Sequence, residues 1–362
     1  MNSRPPLYLF NWPSNVGGAD TKVTHLLLLL HRDFDITVVP NTREQLLQLR
    51  WRRFLKNLGV KAALLSDLPK KLRGTALSLC NGKFFSDGIA CEAKCRGLRI
   101  VWSSEMMWHH PGEIAAAVSG LIDKVLYVSE VQRAALARWY GNLPSAVTGN
   151  YIDPRFFPFK ERWRAPRRFE EFVIGRLSRP DPAKFPDDFP ESYERLNETR
   201  ISRIGAKGIR VNSRNSRLRF RVMAWSEELT RVFAAERFRG RWELLHKEAE
   251  SQVEFLHSLD LFVYDLGPRF SESWGRAVVE AMLTGAVPLV TGAPRHHLRE
   301  LVPYGVGGFL CTTPEEWREC AQRLREDESL RRQMSRAARA FAREHLCRDV
   351  LHREVWQHAL AE

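Results

Sequence analysis

Residues 270–292, Phe270-Ser-Glu-Ser-Trp-Gly-Arg-Ala-Val-Val-Glu-Ala-Met-Leu-Thr-Gly-Ala-Val-Pro-Leu-Val-Thr-Gly292, read as a loop, a short helix and a strand. The apolar run Leu259 to Leu266 ahead of them is β-rich and stops at Gly267-Pro268. Ala277 to Leu283 has the length of two helical turns, Gly285 suits the position after a helix end, and Val287 to Val290 starts a buried strand. Glu272 then lies in a loop at a strand's carboxyl end, the edge where open parallel sheets bind ligands, and Glu280 follows inside the helix. Backbone N–H groups from Ser273, Trp274 and Gly275 to Arg276 would face an anion at the helix start. Glu280 can accept two hydroxyls of a ribose, which places Glu272 near a group being transferred.

Upstream, Glu171-Phe-Val-Ile-Gly-Arg-Leu177 opens this second domain as a strand, and Pro180 to Pro190 is a proline-rich insertion. Arg176 and Lys184 there can neutralise a diphosphate leaving group, which departs poorly without such charge. From Arg200 to Arg221 eight basic residues occur with no acid among them, Arg214 and Arg217 included, so a surface loop and an anion-binding patch are both open. Strands resume at Leu218–Ala224 and Trp242–Leu245. Thr313-Pro-Glu-Glu has the form of a capping box that starts a helix, and the chain stays helical from there to Ala361.

The first half opens as a βαβ unit: Leu7–Asn11 as a strand, a loop containing Gly17-Gly18, a helix from Lys22 to His31, and the strand Asp35–Pro40. Gly17 and Gly18 permit close approach of backbone to a ligand, although a plain turn explains them equally. No GxGxxG follows any strand, which counts against an NAD-dependent oxidoreductase. Thr42 to Leu58 is an Arg-rich helical stretch, either a solvated face or a basic amphipathic surface for an anionic membrane. Further β/α units at 62–65, 76–80, 99–102 and 124–129 point to a parallel sheet covered by helices. Between Trp102 and Ile114 one loop gathers Glu105, Trp108, His109 and His110; adjacent histidines point apart, so at most one of them enters a cleft, and a surface or structural role for each is open as well.

The 362 residues exceed one small core and suit two domains: 1–160, 161–345, and a terminal helix over 346–362 expected to pack back toward the first. The formal charge is +13, and residues 1–160 hold 21 Lys and Arg against 12 Asp and Glu, so most of the excess sits in the first half. That balance implies an anionic partner: a nucleotide, a phosphorylated glycan, a lipid surface or nucleic acid. Six cysteines without a CxxC pair read as structural thiols of a reducing compartment. The run His25–His31 is too short to span a bilayer and no signal peptide precedes it, so a cytoplasmic protein is expected, with peripheral contact to a membrane as an added expectation.

These pieces together resemble a known family, the retaining glycosyltransferases of the family-4 type (glycosyl transferases group 1), which have the GT-B fold. The resemblance runs through the Gly17-Gly18 loop, the Val-Ser129 strand end, Asn150-Tyr-Ile-Asp153, Gly175-Arg176-Leu177, Leu256-His-Ser-Leu-Asp260, and most specifically Glu272 to Glu280 with Gly285-x-x-Pro288. It implies an α/β chain of two Rossmann-like domains, the first for the acceptor and the second for a nucleotide diphosphate sugar donor, facing across a cleft. It also implies sugar transfer with retained anomeric configuration, no cofactor and no essential metal. By analogy Glu280 would hold the ribose, Glu272 would sit by the donor sugar, Arg176 and Lys184 would bind the diphosphate, Gly17 and Gly18 would close over it, and His109 would approach the sugar or acceptor. His110, Glu105, Arg214 and Arg217 are the candidates for acceptor or anion contact.

Two departures stand out. Arg176 and Lys184 are eight residues apart where the family has about five, a spacing that Arg179 restores. Met223-Ala-Trp-Ser-Glu replaces a glycine-containing turn, so Trp225 bears on how the donor base is held and the nucleotide stays open. A front-face reaction, in which the departing phosphate helps take the acceptor proton, needs no nucleophile and is preferred over attack by Glu272. Sugar, acceptor and oligomeric state are not legible. Two alternatives remain: a DNA-modifying glycosyltransferase acting on a hydroxylated base, and a non-catalytic binding protein of the same shape.

Overall fold

The computed structural model describes residues 4–14, 18–161, 171–197, 217–234, 238 and 240–361. They form two α/β units: Met1–Asp153 with Glu272–Trp274 and Cys347–Glu362, and Pro154–Ser271 with Gly275–Leu346. The first unit is built on seven parallel strands, β1 (Pro6–Leu9), β2 (Asp35–Val38), β3 (Lys61–Ala62), β4 (Thr75–Leu79), β5 (Arg99–Ser103), β6 (Lys124–Tyr127) and β7 (Ser145–Val147), in the order β3-β2-β1-β4-β5-β6-β7. The second has six, β8 (Glu171–Leu177), β9 (Arg217–Trp225), β10 (Trp242–His246), β11 (Leu261–Tyr264), β12 (Val287–Thr291) and β13 (Phe309–Cys311), in the order β10-β9-β8-β11-β12-β13.

Every named pairing is parallel. Parallel strands need crossovers on the sheet faces, which buries both sides and explains why β4, β11 and β12 are buried at every position. Alternation along β1 and β5 sends Leu7, Leu9 and Val101 into one apolar cluster and Phe10, Ile100 and Trp102 into another. The helix Asp349–Leu360 contributes Trp356, Ala359 and Leu360 to the first of these. In the second unit one cluster joins Ile174, Phe220, Val263, Leu289 and Trp317.

Strand order creates a switch point in each sheet, where the chain leaves neighbouring strands toward opposite edges: between β1 and β4, and between β8 and β11. Ligands of such sheets bind outside the carboxyl ends at these points. The helix after β11 runs over Arg276–Thr284 and is bounded by Gly275 (φ 93°) and Gly285 (φ 101°), both left-handed, where a side chain would be strained. A Cβ on Gly285 would also come within 3.0 Å of the Phe159 ring and 3.1 Å of the Lys160 carbonyl.

The Thr313 capping box is present, with Glu316 as its partner. The Arg-rich stretch divides into two helices, Arg43–Leu46 and Leu49–Asn57. Strands β7 and β13 and the helices Lys83–Ser86 and Ile89–Cys95 were not evident from the sequence; each is a short element whose pattern is too brief to register. No helix among the described residues is long and apolar enough to cross a membrane.

Candidate functional site

At the second unit's switch point β8 ends in Arg176-Leu177 and β11 ends just before Asp265. Arg176 is fully buried. Its guanidinium donates to Ser178 Oγ (3.3 Å), to the Tyr193 hydroxyl (3.3 Å), to the Lys184 carbonyl (2.6 Å) and to the Asp265 carbonyl. With those bonds it ties both strand ends to the turn Pro182–Lys184, and it serves as an organiser of the loop rather than as an open anion donor. Lys184 is buried too, with Nζ 3.1 Å from the Tyr264 hydroxyl and 4.6 Å from the centre of the Phe270 ring. The aromatic faces around this ammonium favour its positive charge through the ring quadrupoles. Arg179 is exposed.

Asp265 stands beside them. Burial pushes its carboxyl up to about 6, against the pull of the Arg176 charge. It helps line a cavity of about 170 Å³ together with Asp188, Tyr193, Arg195, Thr312 and Trp317. Glu280 projects from the second turn of the helix Arg276–Thr284 and is also buried. Arg276 Nε lies 2.8 Å from its Oε1, and the Gln252 amide donates to Oε2. Desolvation raises the Glu280 pKa, with Arg276 and Gln252 opposing. Trp225 follows Ala224, whose φ is 68°; its Nε1 donates to Thr230 Oγ1 (2.8 Å) and its ring joins Phe185, Phe189, Phe233 and Phe238.

In the first unit Gly17 lies outside the described residues, and Gly18 opens the helix Gly18–Leu30. One turn in, the fully buried Lys22 places Nζ 2.7 Å from Glu105 Oε1 and 3.2 Å from the Gly149 carbonyl. Ser103 Oγ donates to the same carboxylate (2.7 Å). Glu105 is thus neutralised by a buried cation, which makes it a brace of this strand edge more than a contact for an anion. Glu272, Ser273 and Trp274 are buried and group with this unit. Ser273 Oγ donates to the Glu105 carbonyl (2.8 Å), and Ser129 Oγ donates to the Ser273 carbonyl (2.6 Å).

The paired histidines diverge. His109 Nδ1 is 3.4 Å from the Tyr140 hydroxyl and 3.9 Å from Glu113 Oε1, while its Nε2 is buried with no hydrogen-bond partner among the described residues. His110 Nε2 is 3.2 Å from Cys80 Sγ. Buried Glu113 holds the loop, accepting from Trp102 Nε1 (2.5 Å), the Tyr140 hydroxyl and the His110 backbone N–H (2.7 Å). Burial, with the Glu113 charge adding, pushes the Tyr127 hydroxyl up to about 12.

The second unit therefore gathers Arg176 and Lys184 at one point and sets Glu280 in a polar cluster; the first joins Glu105 to Ser273 and sets His109 and His110 apart, the one by Tyr140 and the other by Cys80. Arg214 lies outside the described residues, and of Arg217 only the backbone, in β9, is described. At the end of that basic run Arg219 pairs with Glu171 (3.1 Å) and Glu243 (3.1 Å), and Arg221 with Glu243 (2.7 Å) and Glu250 (2.8 Å). Those two arginines are spent within the protein. Sequence reasoning missed Lys22, Glu113, Gln252 and Asp265. Asp265 had a signal, an acid at the end of an otherwise apolar strand run; the others meet their partners only through the fold. Among the described residues no group of three or more His, Cys, Asp or Glu side chains is placed to hold a metal ion.

No family model matches the chain, and no curated protein matches it. Solved structures do. Anabaena HepE, determined in complex with UDP and glucose, superposes with a TM-score of 0.68 at 17% identity, covering 99% of each chain. A glycosyltransferase from Rickettsia africae gives 0.69 at 10% identity over 99% of this chain and 98% of that one. Sucrose-phosphate synthase from Thermosynechococcus elongatus gives 0.68 at 12% identity over 98% of each. The match spans both parallel sheets in each case, and the chain has the GT-B fold, two Rossmann-like α/β units, that these glycosyltransferases share.

Proposed function

We propose that the protein is a retaining glycosyltransferase that moves a sugar from a nucleotide diphosphate sugar to an acceptor hydroxyl. The observation that carries this reading is the buried Glu280 carboxylate, braced by Arg276 and Gln252 on a helix that a left-handed glycine starts, in the same unit as the Lys184 ammonium at the β8/β11 switch point. The carboxylate suits a ribose diol and the ammonium suits a diphosphate. Arg179, exposed and five residues before Lys184, takes the second cationic place that Arg176, enclosed by its own bonds, does not offer. HepE binds UDP and UDP-glucose, so uridine donors are the first to try.

In the reaction the bond from the sugar's anomeric carbon to the phosphate oxygen breaks while the acceptor oxygen bonds to the same face. The departing phosphate takes the acceptor proton, and Lys184 and Arg179 stabilise its charge. By the family resemblance Glu272 is assigned to the donor sugar and His109 to the sugar or acceptor. The exposed basic helix Leu49–Asn57, with Leu47 and Leu49 also exposed, supports an acceptor met at an anionic lipid surface. A nucleic-acid acceptor is less supported, since Arg219 and Arg221 are paired internally.

Calorimetric titration with a panel of nucleotide diphosphate sugars tests the donor. One of them binds, and Glu280→Ala weakens that binding and the turnover tenfold or more. Unchanged affinity and turnover in Glu280→Ala would refute the ribose role. Product anomeric configuration read by NMR decides retention.

A further inference from the structure

The first sheet's switch point carries a pair of groups that the donor reading does not use. Cys80 follows β4 directly, at the carboxyl end of a strand that flanks the switch. Its φ is 48°, a left-handed backbone that a cysteine adopts only when its surroundings impose it, and such residues cluster where a side chain must be aimed. The Cys80 N–H donates to the Ser103 carbonyl (3.1 Å), which holds that backbone in place. Its Sγ lies 3.2 Å from His110 Nε2.

The imidazole is itself fixed. Its ring packs 4.7 Å from the Trp108 ring and 6.0 Å from Trp102, and the His110 backbone N–H is held by Glu113. Gly82 leaves room for it, since a Cβ there would lie 3.1 Å from Nδ1. Burial lowers the His110 pKa, with the Glu113 carboxylate opposing, which favours the uncharged ring whose free nitrogen can accept a hydrogen bond from the thiol. Both residues are part-exposed.

We propose that Cys80 and His110 form an activated thiol and that Cys80 is a site of S-thiolation by small-molecule disulfides such as glutathione disulfide. Nε2 of His110 takes the thiol proton as Sγ attacks one sulfur of the disulfide. A new S–S bond joins Cys80 to one glutathionyl group; the other leaves as a thiolate and recovers a proton from the imidazolium or from water. The disulfide is the oxidant, and one of its sulfurs is reduced to the free thiol. The inference is independent of the donor chemistry, because none of these groups belongs to the second unit.

Cys91 and Cys95, both exposed on one helix of the same unit, serve as internal references. Intact protein is treated at neutral pH with limiting iodoacetamide, and separately with glutathione disulfide, and each cysteine is followed by peptide mass spectrometry. Cys80 reacts faster than Cys91 and Cys95 although it is less exposed. In His110→Gln the Cys80 rate falls tenfold or more while the two reference rates hold. Circular dichroism and the reference rates show that the variant is folded; should it fail to fold, Gly82→Ala, which crowds the ring without removing it, takes its place and gives the same selective loss. A Cys80 rate below both references, or one unchanged when the imidazole is removed or displaced, overturns the proposal.

Discussion

Asp265 shows what a single buried acid contributes at a strand end. Its ordinary pKa of 3.8 rises to about 6 because burial penalises the charged form more than Arg176 relieves it. The native state therefore binds a proton more tightly than the unfolded chain does. The resulting stabilisation is complete below 3.8 and is lost as pH rises through about 6. Above that range the ionised group costs on the order of 3 kcal/mol at most. Asp265→Asn should raise Tm at neutral to mildly alkaline pH, with the advantage closing under acid conditions; thermal melts across that range check it, and a pH-independent difference would assign the cost to packing. Glu280 has the same direction of shift, yet Arg276 and Gln252 hold its carboxylate in a fixed pose, as a group meant to accept hydroxyls requires. The 272/280 spacing was readable from sequence. Gln252 was not, because it comes from a separate helix that only folding brings near.

At the scale of elements, the helix Arg276–Thr284 is set by glycines at both ends, and the sequence showed both. Gly285→Ala should cost at least about 1–3 kcal/mol from the left-handed backbone alone, with the Phe159 and Lys160 contacts adding to it. Chemical denaturation would read the loss as a lower midpoint at constant slope. The Arg-rich stretch exposes apolar side chains as well as charges. Leu47 and Leu49 are 68% and 76% exposed, beside exposed Arg50, Arg52, Arg53 and Lys56, while Leu55 turns inward. We expect co-sedimentation with vesicles containing phosphatidylglycerol, weakened by salt, abolished by Leu47→Glu with Leu49→Glu, and absent with pure phosphatidylcholine. Equal binding to both vesicle types would exclude an electrostatic surface. Short elements such as β7 and β13 escaped the sequence because a three-residue strand has no period to detect; sheet neighbours create it.

Over the whole molecule, the final segment belongs with the first sheet. Trp356 is fully buried in that unit's core, Lys22 Nζ lies 5.4 Å from its ring centre, and Arg99 donates to the Leu360 (3.1 Å) and Ala361 (2.9 Å) carbonyls. Trp356→Ala should therefore destabilise by about 3–5 kcal/mol, seen as a lowered Tm. A change within about 0.5 kcal/mol would mean the helix is peripheral to that core. Apolar strand runs alternating with helical periods were enough, by themselves, to determine two parallel α/β sheets and the carboxyl edges on which the candidate residues lie. Periodicity is local, and a strand's own residues record that both its faces are buried. Which side chains meet at those edges was decided by tertiary structure alone: Arg176 closes on Asp265 and Lys184, Lys22 on Glu105, and His110 on Cys80 across 30 residues of chain. Such contacts depend on strand order and crossover direction, which no stretch of sequence carries within itself.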